Sequence, residues 1–160
     1  MEAPEESISM PVEPSDPDWE TKVRDSFARQ GAMATVGARL VRVAPGEVDI
    51  EIDRVPAIQQ QHGYVHGGVV GMIADSAGGY AGFSAMPPGA TVLTVEYKMN
   101  LLSPADGDTI LAKGRVVKPG RTLVVTQVDV FSIKQGREKL CALMTQTLMT
   151  MAGKSDGPQV

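Results

Sequence analysis

Three features of the sequence predict a single α+β domain built on one antiparallel sheet. Two strand-like runs come first, at 34–44 and 47–53, and Pro45-Gly46 separates them. A glycine-rich segment at about 66–86 follows, with apolar residues at helical spacing. Four further strand-like runs, separated by short turns, lie at about 91–102, 109–118, 122–134 and 139–151. Because short turns join antiparallel neighbours, this order predicts one central helix packed on a six-stranded antiparallel sheet.

A short helix is predicted before the first strand. Asp16 is suited to cap it, Pro17 fits the first helical position, and Gly31 is suited to follow its end. Apolar residues recur every four positions in this segment, at Trp19, Val23 and Phe27. That spacing gives the helix one apolar stripe with which to pack on the rest of the domain.

The domain is expected to span residues 16–152, between two irregular ends. Residues 1–15 are acidic and Pro-rich with almost nothing to bury, which predicts disorder. Residues 153–160 are expected to form a flexible tail. A single helix leaves much of one face or edge of a six-stranded sheet uncovered, and pairing with a second copy of the chain would cover it.

Composition and charge exclude several classes of function. The net charge of −4 over 160 residues gives no electrostatic support for binding nucleic acid. No apolar run approaches the roughly 20 residues of a membrane span, and the acidic N-terminus is unlike a targeting peptide. The single cysteine, Cys141, cannot form an intramolecular disulfide, which favours a reduced, cytoplasmic protein. Neither a Walker-type phosphate loop nor a G-x-G-x-x-G motif is present, so no cofactor is predicted.

The central helix carries one carboxylate among glycines. Four glycines lie at positions −4, +3, +4 and +7 from Asp75, on the same helical face as that residue; they are Gly71, Gly78, Gly79 and Gly82. Each interior glycine costs about 1 kcal/mol of helix stability relative to alanine. The strip around Asp75 either admits a ligand or another backbone, or lets the sheet curl closely around the helix while Asp75 faces water.

The start of the same helix favours a functional site. Gly67 and Gly68 lie where backbone N–H groups have no partner within the helix, which makes a site for an anion or a developing oxyanion. Asp75 lies about 12 Å further along the axis, at 1.5 Å per residue. That separation is too great for both features to act on one reacting carbon of one subunit. If both serve one site, the carboxylate should come from a second subunit, which predicts composite active sites in a dimer.

Other candidate motifs carry weaker signals. His62 and His66 have the spacing of a helical metal pair, but the intervening glycines argue against a regular helix and no third ligand follows. "GFSAM" around Ser84 lacks the second glycine and the preceding strand of a nucleophile elbow. "DGD" at 106–108 is better interpreted as a turn than as a calcium loop. Basic residues near two turns are either a solvated rim or an anchor for a phosphorylated carrier; they are Lys118, Arg121, Arg137 and Lys139.

The ordered set of motifs resembles a known family. "HGGVVGMIAD", then "TVEYKMNLLSPADGD", then "VVKPGRTLVVTQVDVF" resembles the PaaI-like (phenylacetate-degradation-type) hotdog acyl-CoA thioesterases over roughly residues 45–150. The resemblance implies the hotdog fold, in which a curved antiparallel sheet wraps a long central helix. It also implies a homodimer joined through a continuous sheet, often paired into a tetramer, and an acyl-CoA substrate.

The resemblance assigns roles to particular residues. The backbone amide of Gly67 would polarise the thioester carbonyl, and Asp75 of the other subunit would act as general base or nucleophile. Gln60, six positions before the motif histidine, and Thr94, in the next strand, would position water and substrate. His66 would shape the loop or contact the thioester region.

Further residues are expected to bind the substrate rather than to react with it. Gly68 and Val95 are expected to line the substrate site, and Lys118 and Arg121 are candidates for the CoA phosphates. Pocket walls are expected to be apolar, formed by Val70, Met72, Ile73, Tyr80 and Phe83. The leading hypothesis is therefore thioester hydrolysis; the alternatives are a non-catalytic acyl-CoA binding or sensing module and a hotdog dehydratase.

Overall fold

The computed structural model describes residues 11–158, so residues 1–10 of the segment predicted to be disordered, and residues 159–160 of the tail, lie outside it. Three helices and six strands form in this part of the chain. They are α1 (Trp19–Ala28), α2 (Gly31–Thr35), β1 (Arg39–Ala44), β2 (Glu47–Asp53), α3 (Gly67–Phe83), β3 (Ala90–Leu101), β4 (Thr109–Lys118), β5 (Leu123–Lys134) and β6 (Arg137–Ala152). A 3-10 turn at Pro56–Ile58 precedes α3. Within the described residues, none of the helices combines the length and the hydropathy needed to cross a membrane.

All six strands form one antiparallel sheet in the order β1-β2-β4-β5-β6-β3. The sheet packs around α3, and the alternating residues Val48, Ile50 and Ile52 of β2 are fully buried, as their pattern predicts. Inward residues of β5 and β6 complete the core. The predicted α+β class and the arrangement of two strands, one helix and four strands are confirmed.

The first helix differs from its prediction at both ends. Asp16 lies before the helix, where its carboxylate accepts a hydrogen bond from the Asp18 N–H at 3.0 Å and pairs with Lys22 at 2.9 Å. Asp18 therefore occupies the N-cap position. Gly31 does not follow the end of a helix but is the first residue of α2. The glycine with a positive φ, of 68°, is Gly37, just after α2. The first strand is therefore shorter than the predicted run of 34–44, because it begins only at Arg39.

The centre of α3 touches the sheet at backbone distance. A Cβ atom placed on Gly114 of β4 would lie 2.5 Å from the Ala77 carbonyl group and 2.8 Å from the Gly78 nitrogen. Such distances are shorter than real carbon contacts, so only glycine fits there. The sheet can therefore wrap α3 tightly, which explains why a helix with poor intrinsic propensity is stable: tertiary burial outweighs propensity.

Strand β3 forms one edge of the sheet and contains a bulge. Its pairing with β6 shifts register between Thr94 and Glu96, so that Val95 is the extra residue. The bulge reverses the alternation of faces. Thr94 before it and Met99 after it both face α3, although their sequence numbers differ in parity. The outer edge of β3 has no partner strand among residues 11–158, and several large apolar side chains along and just beyond this strand are exposed.

Candidate active site

Asp75 lies in the third turn of α3, where two strands hold its carboxylate. The Thr94 hydroxyl of β3 donates a hydrogen bond to Asp75 Oδ1 at 2.8 Å. The Gln146 side-chain amide of β6 also donates to Oδ1, and it reaches the Asp75 carbonyl oxygen at 3.1 Å and Thr94 Oγ1 at 3.2 Å. Both side-chain contacts use the same carboxylate oxygen. Within the described residues Oδ2 has no hydrogen-bond partner, so it remains available to water or substrate.

Gln146 is a site residue that the sequence analysis missed. Only 1% of its surface is exposed, and its Oε1 accepts a hydrogen bond from the Thr126 hydroxyl of β5 at 2.9 Å. A signal was present in the sequence, because Gln146 occupies a core position of β6 between Met144 and Leu148. A buried amide at such a position needs hydrogen-bond partners, so it is expected to hold other polar groups of the core in place.

The first turn of α3 presents backbone rather than side-chain groups. His66 is the N-cap, and its Nδ1 accepts a hydrogen bond from the Gly68 N–H at 2.9 Å. The carbonyl oxygen of His66 accepts from the N–H groups of Val69 and Val70. Among the described residues no acceptor is paired with the Gly67 N–H. His66 therefore caps α3 through its side chain, and one helix-terminal donor has no partner among the described residues.

The loop that leads into α3 is anchored on two sides. The Arg54 guanidinium donates to the Gly107 carbonyl at 2.9 Å and to the Gly63 carbonyl at 3.2 Å. The Val65 N–H donates to the Ala105 carbonyl at 3.0 Å. The S-P-A-D-G-D segment, predicted to turn at 106–108, is an irregular connection with a bend at 107–108, and it supports this loop. Gln60 also lies in the loop, and its side-chain oxygen accepts the His62 N–H rather than contacting Asp75.

The glycines around Asp75 divide between the two predicted roles. A Cβ on Gly78 or Gly82 would lie within 2.3 Å of a side chain of β6, and one on Gly71 would lie 3.3 Å from Met99. These three glycines let the sheet approach. Gly79 is different, because no atom outside its own neighbourhood lies within 4 Å of such a Cβ. The bare strip is therefore confined to Gly79, beside Asp75.

Asp75 and Gly79 line a cleft of about 550 Å³. Its walls come from α1, α3, the start of β3 and the C-terminal segment: Ser26, Arg29, Gln30, Ser76, Tyr80, Val92, Leu93, Thr94, Asp156, Gly157 and Pro158. Most of the residues predicted to form apolar pocket walls do not line this cleft. Val70, Ile73 and Phe83 are buried in the core at 0–1% exposure, since they lie on the faces of α3 that the sheet covers. Met72 is half-buried and does not line the cleft, and Tyr80 alone of the predicted set does so.

Two other side chains with potentially nucleophilic atoms, Ser84 and Cys141, are buried. The Ser84 hydroxyl is fully buried, donates to the Ala81 carbonyl at 2.7 Å and accepts from the Gly46 N–H at 2.8 Å. Burial raises the pKa of the Cys141 thiol to about 11, so the reactive thiolate is scarce at neutral pH.

The predicted substrate-binding residues are spread along the sheet. Val95, at the bulge, is 53% exposed. Lys118 ends β4 and Arg121 lies in the turn that follows, and both are exposed. The Thr150 N–H donates to the carbonyl of Thr122 in that turn, which places the turn at the end of the sheet where β3 begins. Arg137 and Lys139 lie at the opposite end of β5, so the four basic residues do not form one cluster.

Comparison with known proteins identifies the family. The sequence model of the thioesterase superfamily matches residues 62–139 of this chain. Among curated relatives, human acyl-coenzyme A thioesterase 13 is 30% identical over 61% of this chain and 70% of its own length. The 1,4-dihydroxy-2-naphthoyl-CoA hydrolase of Listeria monocytogenes is 25% identical over 74% of this chain and 94% of its own.

Solved structures share the fold. A thioesterase family protein from Silicibacter pomeroyi is 48% identical, with a TM-score of 0.83 over 84% of this chain and 99% of that chain. The E. coli PaaI protein from the phenylacetic acid degradation operon is 19% identical with a TM-score of 0.76, covering 87% of this chain and 97% of its own, a likeness of fold. The resemblance inferred from the ordered motifs is confirmed. The chain belongs to the thioesterase superfamily, has the hotdog fold of its PaaI-like members, and is a thioester hydrolase.

Proposed function

We propose that the protein hydrolyses the thioester of an acyl-CoA to a free acid and CoA, with Asp75 as the reacting carboxylate. The observation that carries the proposal is the position of Asp75. One carboxylate oxygen is held by Thr94 and Gln146, and the other is unpaired among residues 11–158 at the wall of a cleft. A fixed carboxylate with one available oxygen is what general-base or nucleophilic attack requires.

Both routes use the same atoms and differ in which oxygen attacks. As a general base, Asp75 takes a proton from water while the water oxygen bonds to the thioester carbon. As a nucleophile, Asp75 bonds to that carbon itself, and water then hydrolyses the mixed anhydride. In either route the C–S bond breaks, CoA leaves as a thiolate and the sulfur takes up a proton.

The Gly67 N–H is proposed as the oxyanion donor. It lies at the positive end of α3, where no described residue accepts from it, and an oxyanion there would meet a fixed donor and the helix dipole. Removal of one such donor in other enzymes costs about 3–4 kcal/mol of transition-state stabilisation. His66 and Gln60 then serve this donor indirectly, by fixing the turn and the loop that lead to it.

Composite sites in a homodimer would bring the two features together. Gly67 and Asp75 lie eight residues apart on one helix, about 12 Å along its axis. The edge of β3, which has no partner strand within residues 11–158, lies beside both, since Leu101 faces Gly67 and Thr94 contacts Asp75. Two copies joined along β3 in antiparallel fashion would set Gly67 of one subunit near Asp75 of the other. Lys118, Arg121, Gly68 and Val95 remain candidates for CoA and substrate contacts in that assembly.

A panel of short, long and aromatic acyl-CoAs tests the proposal, with release of the free CoA thiol as the readout. The wild type should hydrolyse at least one substrate, and Asp75→Ala should lower kcat by roughly 10²–10⁴-fold. Asp129→Ala, on the outward face of β5, is the matched control and should retain activity. Near-full hydrolysis by Asp75→Ala would remove Asp75 from the mechanism.

A further inference from the structure

A polar cluster lies in the same cleft as Asp75. The Tyr80 hydroxyl lies 3.0 Å from Gln30 Nε2 and 3.2 Å from the Ser26 hydroxyl. The Ser76 hydroxyl donates to Gln30 Oε1 at 3.4 Å. All four residues line the cleft. Tyr80 is 4% exposed and burial raises the pKa of its hydroxyl, so it remains a neutral hydrogen-bonding group.

Gln30 has hydrogen-bonding capacity that its neighbours do not use. Its side chain carries two N–H donors and an oxygen that can accept two hydrogen bonds. The contacts with Tyr80 and Ser76 use one donor and one acceptor position, and no other side-chain contact of Gln30 is found within residues 11–158. Gln30 is half-buried, whereas Tyr80 and Ser76 are buried, so Gln30 is the member of the cluster best placed to meet a ligand.

The route from Asp75 to this cluster is open. Ser76 follows Asp75 directly, and Gly79 and Tyr80 lie one helical turn further on. The Tyr80 Cα is therefore about 7.5 Å from that of Asp75 along the helix axis. Gly79 lies between them on the wall of the cleft, and no atom outside its own neighbourhood lies within 4 Å of the position that its Cβ would take. A thin acyl group attacked at Asp75 can extend past Gly79 towards Gln30.

The far wall of the cleft comes from segments outside the family match. Ser26 and Gln30 precede residue 62, where the match begins, and Asp156 follows residue 139, where it ends. Asp156 pairs with Arg29 at 2.6 Å and accepts a hydrogen bond from the Thr91 hydroxyl at 2.6 Å. The C-terminal segment thus closes one side of the cleft against α1. The end of the cleft is therefore formed jointly by these flanking segments and by Ser76 and Tyr80 of α3.

We propose that the end of this cleft is a polar subsite, centred on Gln30, for an acyl group that carries a hydroxyl or carbonyl at its distal end. A plain alkyl chain placed there would cover Gln30 without replacing its hydrogen bonds to water, which is unfavourable. A distal hydroxyl would supply those bonds. The inference rests on the proposed function, and it adds the class of acyl group and a specificity-determining residue.

A matched pair of substrates tests the subsite: hexanoyl-CoA and 6-hydroxyhexanoyl-CoA, which differ by one hydroxyl. The wild type should favour the hydroxylated substrate by about 5–10-fold in kcat/KM. Gln30→Leu should bring that ratio close to one, and Tyr80→Phe should reduce it. Gln127→Leu, on the outward face of β5, is the control and should keep the wild-type ratio. Thermal unfolding of each variant verifies that it folds.

The outcomes separate this inference from the proposed function. Equal or lower kcat/KM for the hydroxylated substrate in the wild type would overturn the polar subsite while leaving hydrolysis established. If neither substrate is hydrolysed, the Kd values of the two non-hydrolysable thioether analogues decide. A preference for the hydroxylated analogue that Gln30→Leu abolishes would support the subsite and place the failure in the hydrolysis proposal. Equal Kd values would overturn the subsite.

Discussion

The first and third turns of α3 present their chemistry in different ways. In the first turn, the Gly67 amide is a backbone group, and the side chain of His66 shapes the turn. In the third turn, the chemistry belongs to the Asp75 carboxylate, which is fixed by Thr94 and Gln146 from two different strands. The position of the backbone donor is set by the turn that contains it and by the loop contacts of Arg54 and Ala105. The orientation of the Asp75 carboxylate depends on side chains of β3 and β6. Substitutions at the two turns should therefore lower activity for different reasons.

Gly67→Pro should have the largest effect on the first turn. Proline removes the N–H but suits the first helical position, and the His66 dihedral angles of φ −59° and ψ 135° are compatible with a following proline. We expect kcat to fall by roughly 10²–10³-fold with the fold retained. Gly67→Ala is the control, because it adds a Cβ near the movable end of Leu101 and keeps the N–H. Equal loss of kcat in both variants would mean that the N–H is not the active group.

Hybrid dimers test whether the two turns belong to one site. Neither Gly67→Pro nor Asp75→Asn should be active alone. After mixing and reassembly, half of the dimers are hybrids, and a composite arrangement gives each hybrid one intact site. Activity should return to about a quarter of the wild-type value, as measured by CoA release. If reassembled mixtures, verified as hybrids by mass spectrometry, stay inactive, Gly67 and Asp75 of different subunits do not form one site.

Gln146→Leu addresses the support of the third turn. The substitution removes the amide that holds Asp75 Oδ1 and leaves the Thr126 hydroxyl without its acceptor. We expect kcat to fall by about 10–100-fold, with KM less affected, because the carboxylate loses its position. The free energy of unfolding should fall by about 1–3 kcal/mol, as measured by denaturant titration. Unchanged kcat in a destabilised protein would make Gln146 a core residue only.

His66→Ala should have the smallest effect among these variants. Loss of the cap leaves the Gly68 N–H without its acceptor and should lower the free energy of unfolding by about 1 kcal/mol. His62→Ala, in the exposed loop before the helix, is the matched control and should be close to neutral. A fall in kcat of His66→Ala well beyond that of the control, with Tm unchanged, would show that the imidazole itself takes part in the reaction.

Prediction from sequence succeeded where the signal was local. The alternation of Val48, Ile50 and Ile52 determined a buried strand, and four later strands matched their predicted bounds within two residues. The predicted start of α1 was wrong because Asp16 lies before the helix, where it pairs with Lys22 and accepts the Asp18 N–H, so that Asp18 is the N-cap. The same holds for the site. The helix start at Gly67 was predicted from adjacent residues, whereas Gln146, which contacts Asp75 from 71 positions away, was not predicted.

The sequence by itself determined the class of fold, the order of its elements and the family, because strand alternation, helical spacing and ordered motifs are properties of neighbouring residues. It also placed a helix-terminal donor and a carboxylate on one helix, too far apart for one carbon. Only the tertiary structure decided which faces of α3 are covered. Side chains of the sheet pack against Gly71, Gly78 and Gly82, while Gly79 lines the cleft. The physical reason is that burial is decided by elements remote in sequence, here β6 on one side of the helix and α1 with the C-terminal segment around the other.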